Sequence, residues 1–364
     1  MSKKTKVVFF FFGTDHFNYG IAEVFRRLMN EISKDRYDIY LIFSGSLNST
    51  IKGLNDNINL IELNQKSLKK SFLPLKKTIE DISPDILVSA MEHPNILSVL
   101  IKFFSKSKFK IILTCHGPFT PRLENMWNRS DGFLIKNLVS FFYPVADHIV
   151  CVSQSVESNF IKYFSRTVKS SVIYNPVLEA QQLFSVKECE KEKGLIVTAS
   201  RLIDFKKVDH VIRTLALLDG TFRLIILGDG QEMTSLKILA DELKISNRIE
   251  FKGYVENPFD YYRRAEIFVL PSMWEGFGNV LIESMCCGCQ VIVNSLSEAS
   301  AEVIGYGEYG YIYDGNDIND LASKIYDARR QPKSISKLVE YASTFTTKRA
   351  AREYETIFKL VAEK

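Results

Sequence analysis

Residues 271–293 read PSMWEGFGNVLIESMCCGCQVIV, and this stretch decides the fold. The apolar run Ile267–Leu270 ends just before it and reads as a buried strand. A loop with Gly276 and Gly278 follows, then a helical pattern over Val280–Cys286, then a second apolar run, Gln290–Val293. Strand, helix, strand with continuous apolar strands is a crossover unit, and it calls for a parallel sheet covered on both faces. The loop also carries chemistry. Free amides and the dipole at a helix start favour an anion, and glycines there let a phosphate approach the backbone. Glu275 precedes the helix and Glu283 lies one to two turns into it, so both carboxylates can face one extended ligand. Taken alone, that spacing more often marks a surface Glu plus a helix-face Glu.

Working outward, the same alternation fills the chain. Strand patterns fall at Lys6–Phe12, Tyr37–Phe43, Ile86–Ser89, Lys110–Thr114, His148–Val152 and Val172–Tyr174, with helical patterns between most of them. The pattern restarts with strands at Gly194–Ala199, Arg223–Leu227 and Ile249–Lys252 and helices at Val208–Leu218 and Met233–Leu243. Two doubly wound domains are therefore expected, with a linker near Asn175–Leu183: residues 1–177, residues 178–340, and a helical region over residues 341–364 that returns to the first domain. A length of 364 residues agrees with two domains.

Composition excludes several classes. With 46% apolar and 25% charged residues the chain is neither disordered nor fibrous. The apolar run Val7–Phe12 is too short to span a bilayer or to serve as a signal peptide. Six cysteines form no C-x-x-C pair and have no histidine at zinc-ligand spacing, so buried free thiols are expected. No G-x-G-x-x-G follows the first strand, which disfavours a dinucleotide-dependent dehydrogenase. No Asp-x-Asp motif occurs, so no metal is expected.

A second group of residues lies upstream of the Glu275–Glu283 segment. Ser200–Asp209, SRLIDFKKVD, follows a strand directly, and Arg201 and Lys206 in that turn can both reach a diphosphate, one as a fork and one as a point charge. Gly228-Asp229-Gly230 forms a tight turn after the Arg223–Leu227 strand, at the carboxyl edge where open α/β sheets bind ligands.

In order, SRLIDFKK, LIILGDG, IEFKGYV and FVLPSMWEGFGNVLIESMCCG resemble the family 4 retaining glycosyltransferases of GT-B fold. ILTCHG (112–117), ADHIVCVSQSV (146–156) and VIYNPV (172–177) extend the resemblance over nearly the whole chain. It implies an α/β fold of two doubly wound Rossmann-like domains facing a central cleft, the first binding acceptor and the second a nucleotide-sugar. It implies that Arg201 and Lys206 neutralise the donor diphosphate, that Glu283 binds ribose, and that Glu275 meets the transferred sugar. The amides of Phe277, Gly278 and Asn279 would hold phosphate and sugar oxygens. Gly228 borders the same edge, Gly253 and Tyr254 would line the base pocket, and His116 of the first domain would reach the sugar. The loop ending at Gly20 would meet donor or acceptor, with Asn18-Tyr19-Gly20 where many members have two adjacent glycines. Asn175 marks the hinge. Lys207 departs from the pattern, standing where many members have glycine.

The resemblance further implies retention of configuration without a metal or other cofactor. UDP-sugar is the favoured donor and GDP-mannose the second. The acceptor would be a lipid-linked saccharide of lipopolysaccharide, O-antigen or capsule. A nucleotide-sugar 2-epimerase shares the architecture, but the SRL…K and EGFGNVLIE pairing argues against it, and the intact charged set argues against an inactive binding subunit.

Charge is uneven. Residues 1–177 hold 23 basic and 15 acidic side chains, and residues 178–364 hold 24 and 28, so the net +4 divides into +8 and −4. Lys66, Lys69, Lys70, Lys76 and Lys77 interleave with Leu68, Phe72, Leu73 and Leu75. Lys102, Lys106, Lys108 and Lys110 interleave with Phe103, Phe104 and Phe109, and Arg122, Trp127, Arg129 and Lys136 follow. Such interleaving suits anionic lipid headgroups, or equally a solvated lysine face over core aromatics, and no nucleic-acid module accompanies it. A cytoplasmic enzyme, peripheral on the inner membrane face, is the expected setting.

Overall fold

The computed structural model describes residues 3–12, 19–44, 53–119, 130–164, 169–179, 182 and 190–363. The chain divides into two units, residues 1–177 with 346–364, and residues 178–345. In the first, β1 (Thr5–Phe11), β2 (Tyr37–Phe43), β3 (Asn59–Glu62), β4 (Ile86–Ala90), β5 (Lys110–Cys115), β6 (His148–Cys151) and β7 (Ser170–Val172) form one sheet in the order β3-β2-β1-β4-β5-β6-β7. Every pairing is parallel. Val7–Phe11 are all buried, as a strand covered on both faces must be.

The second unit holds β8 (Glu192–Ala199), β9 (Arg223–Leu227), β10 (Ile249–Gly253), β11 (Ala265–Leu270), β12 (Gln290–Asn294) and β13 (Tyr311–Tyr313), ordered β10-β9-β8-β11-β12-β13 and again parallel. Both orders reverse direction once, at β1/β4 and at β8/β11, which are the switch points where such sheets leave a crevice. The expected fold class, two doubly wound parallel-sheet units, is thus present.

The differences from expectation lie at edges and ends. β3 and β13 were not anticipated. Each is an outer strand of three or four residues, too short for an apolar run to stand out. The helices Glu298–Val303, Ile318–Arg330 and Ile335–Ala342 also went unread. The helical region placed from residue 341 is two helices, because Ser343–Thr346 breaks it and the Thr346 hydroxyl caps the second by accepting from the Arg349 amide at 3.3 Å. Tyr341–Phe345 belongs to the second unit. Tyr341 stacks on Tyr309 with ring centres 3.8 Å apart, and Phe345 packs on Phe277.

From Thr347 the chain belongs to the first unit, as a C-terminal helix returning to the first domain requires. Its apolar face enters that core. Phe358 is fully buried and meets Tyr37 and Phe9 edge-on, at 5.5 and 6.4 Å between ring centres. Glu355 accepts from the Ser33 amide at 2.9 Å and pairs with Arg36. Phe358→Ala should therefore cost about 3–5 kcal/mol, the usual loss for a large buried aromatic. Equilibrium denaturation measures it, and a loss below about 1 kcal/mol would remove this helix from the core.

Candidate active site

At the second unit's switch point, two loops leave adjacent parallel strands on the same edge. One follows β8 and runs from Ser200 to Lys207; the other follows β11 and runs from Pro271 to Gly278. They are bound at three levels. The Met273 amide donates to the Phe205 carbonyl at 2.9 Å. Phe205 and Trp274 stack face to face, 3.7 Å between centres and 11° from parallel. The neighbouring side chains, Lys206 Nζ and Glu275 Oε1, meet at 2.5 Å, and they are only 15% and 14% exposed. Lys206 also lies 5.3 Å from the centre of the Phe205 ring. The aromatic pair was missed in the sequence, although its signal was there: one aromatic directly precedes each charged residue. Three buried polar groups on these loops, Ser200 Oγ, Ser272 Oγ and Trp274 Nε1, have no hydrogen-bond partner among the described residues.

The β9 turn is fastened to the first loop. The Ser200 amide donates to Leu227 at 3.0 Å and the Leu202 amide to Asp229 at 2.9 Å. Gly228 donates its amide to the Gly253 carbonyl at 2.7 Å, tying in the end of β10. A side chain at 228 is impossible in this arrangement. Its φ is +129°, and a Cβ would lie 1.9 Å from the Ser200 carbonyl oxygen. Gly253 and the exposed Tyr254 thus stand at the same sheet edge as Arg201, which is exposed in the β8 loop.

Gly278, at φ +87°, turns the second loop into the helix Asn279–Cys286, and its carbonyl accepts from the Leu281 amide at 2.9 Å. Phe277 is buried against Phe345, which fixes the backbone entering the helix. Glu283 is half-buried in the helix's second turn. Its charge reinforces the burial that pushes the Tyr262 hydroxyl well above the usual tyrosine range. Lys207 adopts the left-handed conformation at φ +48°, and the helix Val208–Leu217 begins directly after it. That backbone costs on the order of 1–2 kcal/mol for a residue with a Cβ. The Lys207 ammonium meanwhile holds Asp204 at 2.9 Å.

The second unit therefore gathers Arg201, Lys206, Gly228, Gly253, Tyr254, Glu275, Phe277, Gly278, Asn279 and Glu283 along one edge. His116 and Gly20 lie in the first unit. Gly20 sits exposed in the first turn of the helix Tyr19–Glu31, where a Cβ would meet nothing. Residues 13–18, the rest of the loop around it, fall outside the described residues, as do Arg122, Trp127, Arg129, Cys189 and the Lys136 side chain. His116 follows β5 and is half-buried. Its Nε2 is 2.9 Å from Thr114 Oγ1, and that hydroxyl donates to the Ser89 carbonyl at 3.0 Å. With its proton committed there, Thr114 accepts from Nε2–H, so the neutral imidazole carries its proton on Nε2. Asn175 is buried in the first unit.

Cys115, Cys151, Cys286, Cys287 and Cys289 are buried free thiols, as expected. Burial pushes Cys286 and Cys289 up to about 11, so they stay protonated at neutral pH. Among the described residues no group of three or more His, Cys, Asp or Glu could hold a metal ion. Nor is any helix among them long and apolar enough to cross a membrane.

Residues 180–345 match the family model for glycosyl transferases group 1, and residues 18–179 match the model for glycosyltransferase family 4. The N-acetylgalactosamine-N,N'-diacetylbacillosaminyl-diphospho-undecaprenol 4-alpha-N-acetylgalactosaminyltransferase of Campylobacter jejuni is 28% identical over 296 residues, covering 79% of this chain and 80% of its own. The Escherichia coli O-antigen biosynthesis glycosyltransferase WclY is 24% identical over 284 residues, covering 75% and 78%. In fold the chain is similar to Anabaena HepE in complex with UDP and glucose, with a TM-score of 0.78 at 17% identity over 98% of this chain and 99% of that one. It is similar also to sucrose-phosphate synthase of Thermosynechococcus elongatus, with a TM-score of 0.81 at 17% identity and the same coverage. The two family models together span residues 18–345, and the chain belongs to the group 1, family 4 glycosyltransferases of GT-B fold.

Proposed function

We propose that the enzyme transfers a sugar from UDP to a lipid-linked saccharide during surface-polysaccharide assembly, with retention of configuration and without a metal ion. The observation that carries the donor assignment is the Lys206–Glu275 pair, largely removed from water beside the glycine-capped start of the helix Asn279–Cys286. A diphosphate entering there competes with the Glu275 carboxylate for the Lys206 ammonium. Arg201 on the same loop and the helix amides add positive field as the leaving group gains charge. Glu275, released, accepts from hydroxyls of the transferred sugar, and Glu283 accepts from the ribose. The acceptor hydroxyl attacks the anomeric carbon on the face from which the diphosphate departs. The anomeric C–O bond to phosphate breaks, and the hydroxyl proton passes to the departing phosphate oxygen.

UDP is favoured because HepE, similar in fold, binds UDP and glucose, with GDP-mannose the second candidate. The lipid-linked acceptor follows the C. jejuni relative, whose name specifies a diphospho-undecaprenol saccharide, and the O-antigen relative. It is consistent with an enzyme working at the cytoplasmic membrane face, with the basic first unit toward anionic lipid.

Arg201→Ala and Lys206→Ala should each lower turnover more than about tenfold, given about 1.5–3 kcal/mol for a charge-assisted bond. Arg201 is exposed whereas Lys206 holds the largely buried ion pair, so Arg201→Ala should disturb the melting temperature less and is the cleaner of the two. Near-normal turnover in both would overturn the diphosphate assignment. Thermal-shift screening settles the base: UDP at about 100 times its Kd should add about 2.7 kcal/mol, while GDP and ADP at equal concentration add less. Trp274→Ala, which unstacks Phe205, should weaken that UDP response, whereas an unchanged response would separate the stack from donor binding.

A further inference from the structure

The first unit exposes large apolar side chains on three neighbouring helices: Leu73 on Phe72–Ile82 (72% exposed), Phe103 and Phe104 at the end of Glu92–Phe104 (56% and 62%), and Phe141 on Ser130–Phe142 (69%). Chain adjacency and ring contacts link them as a ridge: Leu73 follows Phe72, Phe103 and Phe104 are consecutive, and ring contacts bridge the helices. Phe104 meets Phe72 at 6.0 Å, Phe103 meets Phe142 at 6.5 Å, and Phe142 meets Phe141 at 5.1 Å. A contiguous exposed patch of this kind marks an interaction surface, whereas isolated exposed apolar residues do not.

The lysines around it sort into two groups. Lys76, Lys102 and Lys110 are committed to Glu80 and Asp147. Lys69, Lys70, Lys77 and Lys108 are exposed and have no ion-pair partner among the described residues. Lys69 and Lys70 precede Leu73, Lys77 lies one turn beyond it on the same helix face, and Lys108 follows Phe104. Uncommitted cations fringing apolar side chains match the charge and layering of an anionic bilayer surface, with headgroups outside and acyl chains beneath. A second copy of the chain fits poorly, because a two-fold contact through this ridge would set the same lysine fringe against itself.

We infer that this ridge is a membrane wedge: Leu73, Phe103, Phe104 and Phe141 enter the interface of an anionic bilayer, and Lys69, Lys70, Lys77 and Lys108 hold the headgroups around them. The inference deepens the reading of a lipid-borne acceptor, yet it is testable without any acceptor.

Sedimentation with vesicles of phosphatidylcholine alone, and of phosphatidylcholine with phosphatidylglycerol, should show binding only to the second. Phe103→Ser, Phe104→Ser, Leu73→Ser and Phe141→Ser should each weaken it roughly tenfold, as burial of an apolar side chain predicts. Each of the four lysines changed to Gln should weaken it about fivefold. Leu73→Trp and Phe141→Trp keep a large apolar side chain at the most exposed positions and give a second reading: their emission should shift to the blue when vesicles are added. The UDP-induced thermal shift should persist in every variant, since none lies in the donor unit. The wedge is overturned if the serine variants sediment like the wild type, or if the new tryptophans do not respond. It is overturned too if the wild type is a dimer that these substitutions dissociate. Failure of the wild type to bind either vesicle overturns both the wedge and the membrane setting, whereas loss of the UDP response in the wild type counts against the donor assignment alone.

Discussion

The second unit depends on one topological constraint, the reversal of strand order at β8/β11. Those strands are parallel neighbours, with Val197 beside Phe268, and the chain leaves each at the same edge. Lys206 and Glu275, 69 residues apart in sequence, are therefore delivered side by side. Removing two charges from water is costly, and an attraction across 2.5 Å compensates only if the geometry is held. The Phe205–Trp274 stack and the Met273 amide hold it from one side. From the other, Gly228 brings the β9 turn against Ser200, closer than any side chain would permit. The ion pair, the stack and the glycine thus belong to one local structure.

What the sequence made legible follows from the same physics. A central parallel strand must be apolar on both faces, so β1, β2, β8, β9 and β11 announced themselves as runs, and with them the fold class. β3 and β13 sit at edges with a single neighbour and lack that compulsion. The charged residues were legible through their order along the chain and their resemblance to a family. The Phe205–Trp274 stack was not, because pairing across two loops has no periodicity to read. The break at Ser343–Thr346 was hidden for a related reason: a hydroxyl cap inside a helical stretch looks like any other polar residue until its amide partner is seen.

The basic-aromatic segments show the limit of counting. In the sequence Leu75 and Phe109 resemble Leu73 and Phe104, yet the first two are core and the last two are exposed. Lys76 and Lys102 resemble Lys77 and Lys108, yet the first two are spent on carboxylates. Only after the structure has separated the two sets does a layered surface emerge. The +8 of the first half overstates the charge open to a partner, and the disposition of a few uncommitted lysines matters more than the total.

On the proposed assignment, the Lys206–Glu275 pair also bears on how donor and product are told apart. A nucleoside diphosphate that takes Lys206 leaves the Glu275 carboxylate without its cation in a place 14% exposed. An unpaired, poorly solvated carboxylate is unfavourable by several times the value of an exposed ion pair. A sugar attached to the diphosphate supplies hydroxyl donors to that carboxylate, and free UDP does not. The intact donor is then bound with both charges satisfied, while after transfer Glu275 again competes for Lys206. Re-formation of the ion pair favours release of the spent nucleotide. The same contact therefore opposes binding of diphosphate alone and assists its departure, and it does so without any moving element beyond two side chains.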